Sequence, residues 1–235
     1  MSNISMSNSA SKHDTIGRVY GGEKLADRTA RRRQQFLDAG LLIFGTTGYR
    51  TATVRKLCKQ AELTDRYFYE SFENLEDLLI AVYHQQFDQL QQTVMTHLMA
   101  TTQEGDAMAT IRAGLDALFD MAAQPCVARV CWLEVLGVSP KVDATYISNI
   151  DGFADMVIGF ARHRYPQWQV DDDEARMLGL ALVGAISQAV TMAERSVRKS
   201  AFGLPRMASM AASPARAAAL AMASWTRMPA PKNHT

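Results

Sequence analysis

Between Arg50 and Tyr69 the chain crowds cations, hydroxyls and phenols in a way that suits a polyanion. Arg50, Arg55, Lys56 and Arg66 supply positive charge, Thr53 and Thr64 hydroxyls, and Tyr67 and Tyr69 phenols, while Asp65 adds an acceptor. Each threonine precedes a short run with helical spacing. A threonine there serves as an N-cap, worth about 1 kcal/mol, and hydroxyl and free N–H groups at a helix start also bind a phosphate. Arg66 and Tyr67 fall on the first turn of the second run. An arginine so placed either reads guanine in a bidentate way, worth roughly 1–3 kcal/mol of discrimination, or is a solvated surface charge; both readings stay open. Asp65 either accepts from a cytosine amino group or favours the helix start, the second being the simpler. Arg31, Arg32, Arg33, Arg50, Arg55 and Lys56 are candidate contacts to a phosphate backbone, which position without specifying.

These groups need two short helices to hold them. Val54, Leu57, Cys58 and Ala61 share one face of a run at about 53–60. A turn at Ala61-Glu62-Leu63 leads into a second run at about 64–71, with Phe68 and Phe72 as core residues. Helix, tight turn and helix form the unit that lays its second helix in the major groove while the first crosses the backbone. Ahead of it, a helix over Asp27–Thr46 buries Phe36, Gly40, Ile43 and Phe44, and Gly48 follows where the backbone must leave with positive φ. After it come helices at about 74–99, 105–122, 126–136, 140–164 (opened by Pro140 after Ser139) and 172–198 (opened by Asp171-Asp172-Asp173-Glu174), and an Ala/Met-rich helix within about 206–227. No alternating strand pattern of useful length occurs.

With these residues in place the chain resembles the tetracycline-repressor (TetR) family of bacterial transcription regulators. Phe44 precedes Gly48-Tyr49 as in that family. Its helix-opening threonine falls on Thr53, its turn on Ala61-Glu62-Leu63-Thr64, its aromatic pair on Tyr69 and Phe72, and the opening of its connecting helix on Glu76 and Leu78-Leu79. Three positions depart from the pattern. Glu62 replaces the turn glycine, for which a negative φ is expected; Ser71 replaces a histidine; and Leu75 replaces a lysine, removing one phosphate contact. The resemblance covers roughly residues 30–82, and implies that Tyr69 touches phosphate. Beyond residue 100 it is general, resting on helix number and a phrase such as Trp132-Leu133-Glu134-Val135-Leu136-Gly137.

Charge distribution agrees with a local polyanion site. From Lys24 to Glu70 there are ten Lys/Arg against five Asp/Glu, residues 71–195 hold seven against seventeen, and residues 196–235 hold six basic and no acidic residues, although the net charge is only +1. A basic patch on an acidic body is the footprint of a nucleic-acid site. Enzyme signatures are missing: there is no nucleophile elbow, no phosphate loop and no paired histidines, and nothing implies a cofactor or metal. Three cysteines in an odd count and no signal peptide fit a cytoplasmic protein. No stretch reaches the 18 or more apolar residues of a membrane span.

The expected fold is therefore all-α. A disordered arm (1–22) precedes a helix-turn-helix DNA-binding domain (23–73), a regulatory ligand-binding and dimerisation domain (74–228) and a loose tail (229–235). Met121, Trp132, Tyr146, Met156 and Phe160 are mostly core, yet could line a cavity for an apolar or aromatic small molecule, as the resemblance implies. The family pairs its last two long helices between subunits. Here that places the interface on 172–198 and 206–227, where Gly179, Ala181, Gly184, Ala185 and Ala189 allow close approach and Leu178, Leu182 and Ile186 act as knobs. The expected function is a homodimeric repressor released from a near-palindromic operator by its ligand. Rival readings are a helical small-molecule binder or scaffold with a vestigial DNA unit, and a basic tail (196–235) resting on a membrane surface; activation rather than repression stays open.

Overall fold

The computed structural model describes residues 25–100 and 107–200, and every regular element among them is helical. The arm, the helix within 206–227 and the tail lie outside the described residues. In chain order the helices are α1 (Leu25–Thr46), α2 (Val54–Ala61), α3 (Asp65–Ser71), α4 (Leu75–Ala100), α5 (Ala107–Ala122), α6 (Pro125–Arg129), α7 (Pro140–Arg164) and α8 (Asp172–Ser200). A 3-10 turn, Tyr49–Thr51, links α1 to α2, and a π-helical turn, Val130–Glu134, extends α6.

Side chains mark where the helices begin. Thr53 Oγ1 accepts from the Lys56 N–H at 3.2 Å, Asn74 Oδ1 from Asp77 at 2.9 Å, Ser139 Oγ from Val142 at 3.2 Å and Asp171 Oδ1 from Glu174 at 2.8 Å. Each satisfies one of the N–H groups a helix start leaves open. Pro140 occupies the first turn of α7, where its missing N–H is harmless.

Gly48 leaves α1 with φ 95, as expected. Glu62 overturns its expectation: its φ is 56, the left-handed region. The turn needs that conformation because the Glu62 N–H and the Leu63 N–H both return to the Cys58 carbonyl, closing α2. Glutamate adopts it in glycine's place.

The core begins in an aromatic knot. Phe36 of α1 meets Phe68 of α3 edge-on at 5.4 Å and Phe72 at 6.4 Å, with Phe68 and Phe72 5.8 Å apart. The buried stripe of α4 (Leu78, Leu79, Val82, Tyr83, Phe87, Leu90, Val94) carries that core into the body. Leu75, where the resembling family has a lysine, is half-buried and packs against the same core.

The inner face of α8 presents Ala175, Gly179, Val183, Ile186 and Val190, all buried. Gly179 is needed there, since a Cβ would stand 2.6 Å from Cδ1 of Ile158 on α7. Ile186, expected as a knob between subunits, is instead 6% exposed inside this chain's own core. Leu178 and Leu182 are half-buried. The outer face carries Met177, Ala181, Gly184, Ala185, Gln188 and Met192, all exposed. One further expectation is corrected. Asp172–Met192, 21 residues, is long and apolar enough to cross a membrane by length and composition, with 33% of that window buried. In the sequence its apolar residues form no single run because small and polar ones interrupt them.

Candidate nucleic-acid interface

Both short helices bury one face and expose the other. Ala52, Leu57, Ala61, Phe68 and Phe72 point inward, whereas Arg50, Thr53, Arg55, Thr64, Asp65, Arg66 and Tyr69 are exposed. Tyr67 is half-buried, as is Arg32 of α1. Its ring lies beneath the Arg32 guanidinium, 4.2 Å from the centroid, so α1 holds it from behind. Arg33 does the same to Phe72 at 4.4 Å and donates to the Ser71 carbonyl at 2.8 Å. Two of the three clustered arginines therefore brace α3.

The two threonines differ. Thr53 caps α2 through its hydroxyl. Thr64 makes no such capping bond; the exposed Asp65 carboxylate accepts from the Arg66 N–H at 2.9 Å instead. Arg66 is 82% exposed and its Nε donates to Glu70 Oε1 at 3.1 Å, one helical turn on. Such an exposed pair is worth about 0.3–0.5 kcal/mol, so a base edge could displace it at small cost. Tyr69 is 60% exposed, its ring set edge-on to Phe68 at 5.3 Å. Lys56 Nζ donates to the Thr51 carbonyl at 2.7 Å and so ties α2 to the 3-10 turn. The arrangement is a shallow polar face of hydroxyls, a phenol and arginines on a rigid apolar base. It can present donors to phosphate oxygens and an arginine to base edges.

Sequence reasoning missed what holds this face to the body. Arg129 of α6 pairs with Glu134 of the π turn, Nε to Oε1 at 2.7 Å, with side chains only 13% and 14% exposed. Glu134 Oε2 accepts from the Tyr49 N–H at 2.8 Å, and Arg129 Nη1 donates to the Thr46 carbonyl. Both acts fall on the connection that leads into α2. No helical spacing rule pairs residues five apart, so the sequence carried no signal for them.

Residues 36–82 match the sequence profile described as bacterial regulatory proteins, tetR family. Over those residues the chain carries that family's helix-turn-helix. The match marks this segment as the DNA-binding helix-turn-helix of a class of transcription regulators, and the matched family is non-enzymatic. Solved structures agree on the fold. The fatty acid degradation regulator FadR from Bacillus halodurans superposes with a TM-score of 0.65 at 16% identity, over 87% of this chain and 97% of that one. FadR from Bacillus subtilis, solved in complex with stearoyl-CoA, gives 0.65 at 19% identity, over 79% and 97%. The regulatory protein TetR from Rhodobacter sphaeroides gives 0.62 at 16%, over 80% and 97%. A comparison with curated proteins returns no match.

In the helical body behind that segment the five residues expected to line a ligand cavity border one core. Met121 closes α5 at 6% exposure and Trp132 sits in the π turn at 4%. Tyr146, Met156 and Phe160 lie half-buried along α7, and the Tyr146 ring stacks on Tyr83 at 6.3 Å. Two surface grooves lie elsewhere. One of about 490 Å³ is polar, lined by Gln34, Gln85, Asp88, Gln89 and Gln92 between α1 and α4. The other, about 370 Å³, runs beside Tyr69 and the α3–α4 junction.

Proposed function

We infer that the chain works as a homodimeric repressor that binds a near-palindromic operator and leaves it when a small apolar or aromatic molecule enters the body. The observation that carries this reading is the exposure of Arg50, Thr53, Arg55, Thr64, Arg66 and Tyr69 on two short helices whose opposite faces are locked into the core. Residues 23–73 form the reading head in this proposal, and 74–228 the regulatory body, with the remaining ends as arm and tail.

Dimerisation is supported by α8. Its outer stripe of Met177, Ala181, Gly184, Ala185, Gln188 and Met192 recurs at helical spacing, is apolar but for Gln188, and is left exposed by the described residues. A second copy of the same face would cover it. The contact is a twofold one, in which each patch meets itself, so the two heads face half-sites related by the same axis, about 34 Å apart. Such a pairing also accounts for an apolar helix of membrane-crossing length in a cytoplasmic regulator. Two knobs assigned from sequence, Leu178 and Leu182, flank this stripe; Gly184 and Ala185 lie within it.

The ligand site is placed at the core bordered by Met121, Trp132, Tyr146, Met156 and Phe160. Apolar walls with a few polar groups suit a hydrophobic molecule. Long-chain acyl thioesters are the first class to try, because the Bacillus subtilis FadR of similar fold was solved with stearoyl-CoA.

The test uses the DNA upstream of the protein's own gene as probe. Wild type should bind it, and Tyr69→Phe combined with Thr53→Ala should weaken binding at least tenfold. A dimer that neutralises 6–10 phosphates should also lose about 10³–10⁵ in affinity between 50 and 200 mM salt. Unchanged affinity in the double variant, or a flat salt response, sinks the assignment. Once an acyl-CoA or other molecule releases the DNA, reciprocity requires the DNA to weaken that molecule's binding by the same factor. Equal ligand affinity with and without DNA would show that the site does not regulate.

A further inference from the structure

Arg129 and Glu134 stand five residues apart, which on an α-helix would set them about 140° apart around the axis. They nevertheless pair at 2.7 Å, because the intervening turn is π-helical. Hydrogen bonds from i to i+5 stack residues five apart one above the other. The ion pair therefore exists only while Val130–Glu134 keeps its π register.

Its partners belong to the other end of the molecule. Glu134 Oε2 accepts from the Tyr49 N–H at 2.8 Å, and Arg129 donates to the Thr46 carbonyl. Between them lies Gly48 at φ 95, where a Cβ would stand 2.6 Å from Arg129 Nη2 and 3.1 Å from Glu134 Oε1. The two side chains thus grip the backbone over residues 46–49 from both sides. Four residues farther on, Thr53 caps the start of α2. The same π turn buries Val130, Cys131 and Trp132 at 0%, 2% and 4% exposure, and it packs against α1, α4 and α8.

We propose that Arg129 and Glu134 are positioning residues for the DNA-contacting helices, and that the π turn carrying them is the switch through which the body releases the head. The inference rests on the DNA-binding reading given above. Glu134 fixes the entry to α2 by holding the Tyr49 amide, and Arg129 fixes Glu134. A molecule that presses on Trp132, or a shift of α8, acts on the turn directly. Relaxation from π to α register displaces Glu134 about the helix axis by roughly the 100° that one residue subtends. The carboxylate then leaves both Arg129 and Tyr49, and the connection at 46–51 is freed while the core of α2 and α3 stays folded.

The experiment compares full-length wild type, Glu134→Ala, Glu134→Gln and the paired variant Arg129→Met with Glu134→Gln. The pair removes both buried charges while keeping volume and an acceptor for Tyr49, so it stays folded where Glu134→Ala leaves an arginine buried without its partner. Two readouts are taken. The first is affinity for the duplex upstream of the gene, as a function of salt. Glu134→Ala and the paired variant should bind at least tenfold more weakly with an unchanged salt slope, because phosphate contacts are mispositioned rather than removed; Glu134→Gln alone should fall between. The second is amide exchange without DNA. The Tyr49 amide should exchange at least tenfold faster in Glu134→Ala and by a smaller factor in the paired variant, whose glutamine still offers an acceptor but is no longer held by Arg129, with the amides of α7 unchanged. Duplex affinity within twofold of wild type, or an unchanged Tyr49 rate, overturns the latch. A wild-type chain that ignores the duplex overturns the DNA-binding reading instead, and the exchange experiment still decides the latch.

Discussion

Glu62 holds a backbone conformation that an L-residue adopts only at a cost of roughly 1–2 kcal/mol. Glycine there is free of that strain but gives up some of the gain through its greater freedom when unfolded, by about 0.5–1 kcal/mol. Glu62→Gly is therefore expected to hold or raise the thermal midpoint, while Glu62→Val, branched at Cβ and worse suited to positive φ, should lower it. Melting curves of the two variants check this. Cys131 gives a second outcome at the same scale. Burial pushes its thiol up to about 12, so almost no thiolate exists at pH 8. A thiol reagent at that pH should label the partly exposed Cys58 and Cys126, and reach Cys131 only after denaturant is added. At this scale the sequence was readable where type alone decides, as with Phe68 and Phe72 in the core or Gly48 at positive φ. It was unreadable where a neighbour decides. Thr64 and Thr53 look alike in sequence, yet only Thr53 bonds to its own helix. The orientation of Tyr67 depends on Arg32, a residue of a different helix.

Helix contacts here turn on a few glycines, and they respond oppositely to the same change. At Gly45 a Cβ would lie 2.5 Å from Cβ and 2.6 Å from Cα of Cys126, so α6 approaches α1 backbone to backbone. Gly45→Ala has no flexible atom to displace and should cost about 1–3 kcal/mol, as overpacking does. Gly152 of α7 faces open space, and Gly152→Ala should raise stability by up to about 1 kcal/mol through helix propensity alone. Denaturant titrations of the pair test both signs. Helix spans were legible from 3.6-residue periodicity, and the described boundaries fall close to the expected ones from α1 to α8. The π turn was not, because 126–136 reads as one amphipathic helix and its distinguishing ion pair has no sequence signature. The phase of α8 was also hidden. Val183 and Ile186 turn inward because α7 lies there, and a single helix cannot reveal which of two apolar stripes its own chain will cover.

Across the whole molecule, charge and assembly divide the labour. The segment from Lys24 to Glu70 carries an excess of five positive charges while residues 71–195 carry ten net negative ones, so attraction to DNA is local and orients the head. The proposed assembly makes a sharp prediction at Gly184, which has nothing within 4 Å of an added Cβ. Gly184→Trp leaves the protomer undisturbed and should separate subunits; sedimentation showing an intact dimer would move the interface off α8. The binding family was legible from the spacing of Gly48 to Phe72, whereas the grip of the body on the head was not, since it joins residues more than eighty positions apart.

Met177 and Met192 stand 72% and 60% exposed at the two ends of the outer stripe of α8. Thioethers so placed are open to peroxide in a lone protomer, and a sulfoxide is polar where the proposed seam between subunits would be dry. Oxidative stress would then reach this regulator through its assembly rather than through its buried thiol, with the reading heads falling out of register as the seam wets. Mass spectrometry of peroxide-treated protein should find both methionines shielded at concentrations that favour the dimer and oxidised on dilution.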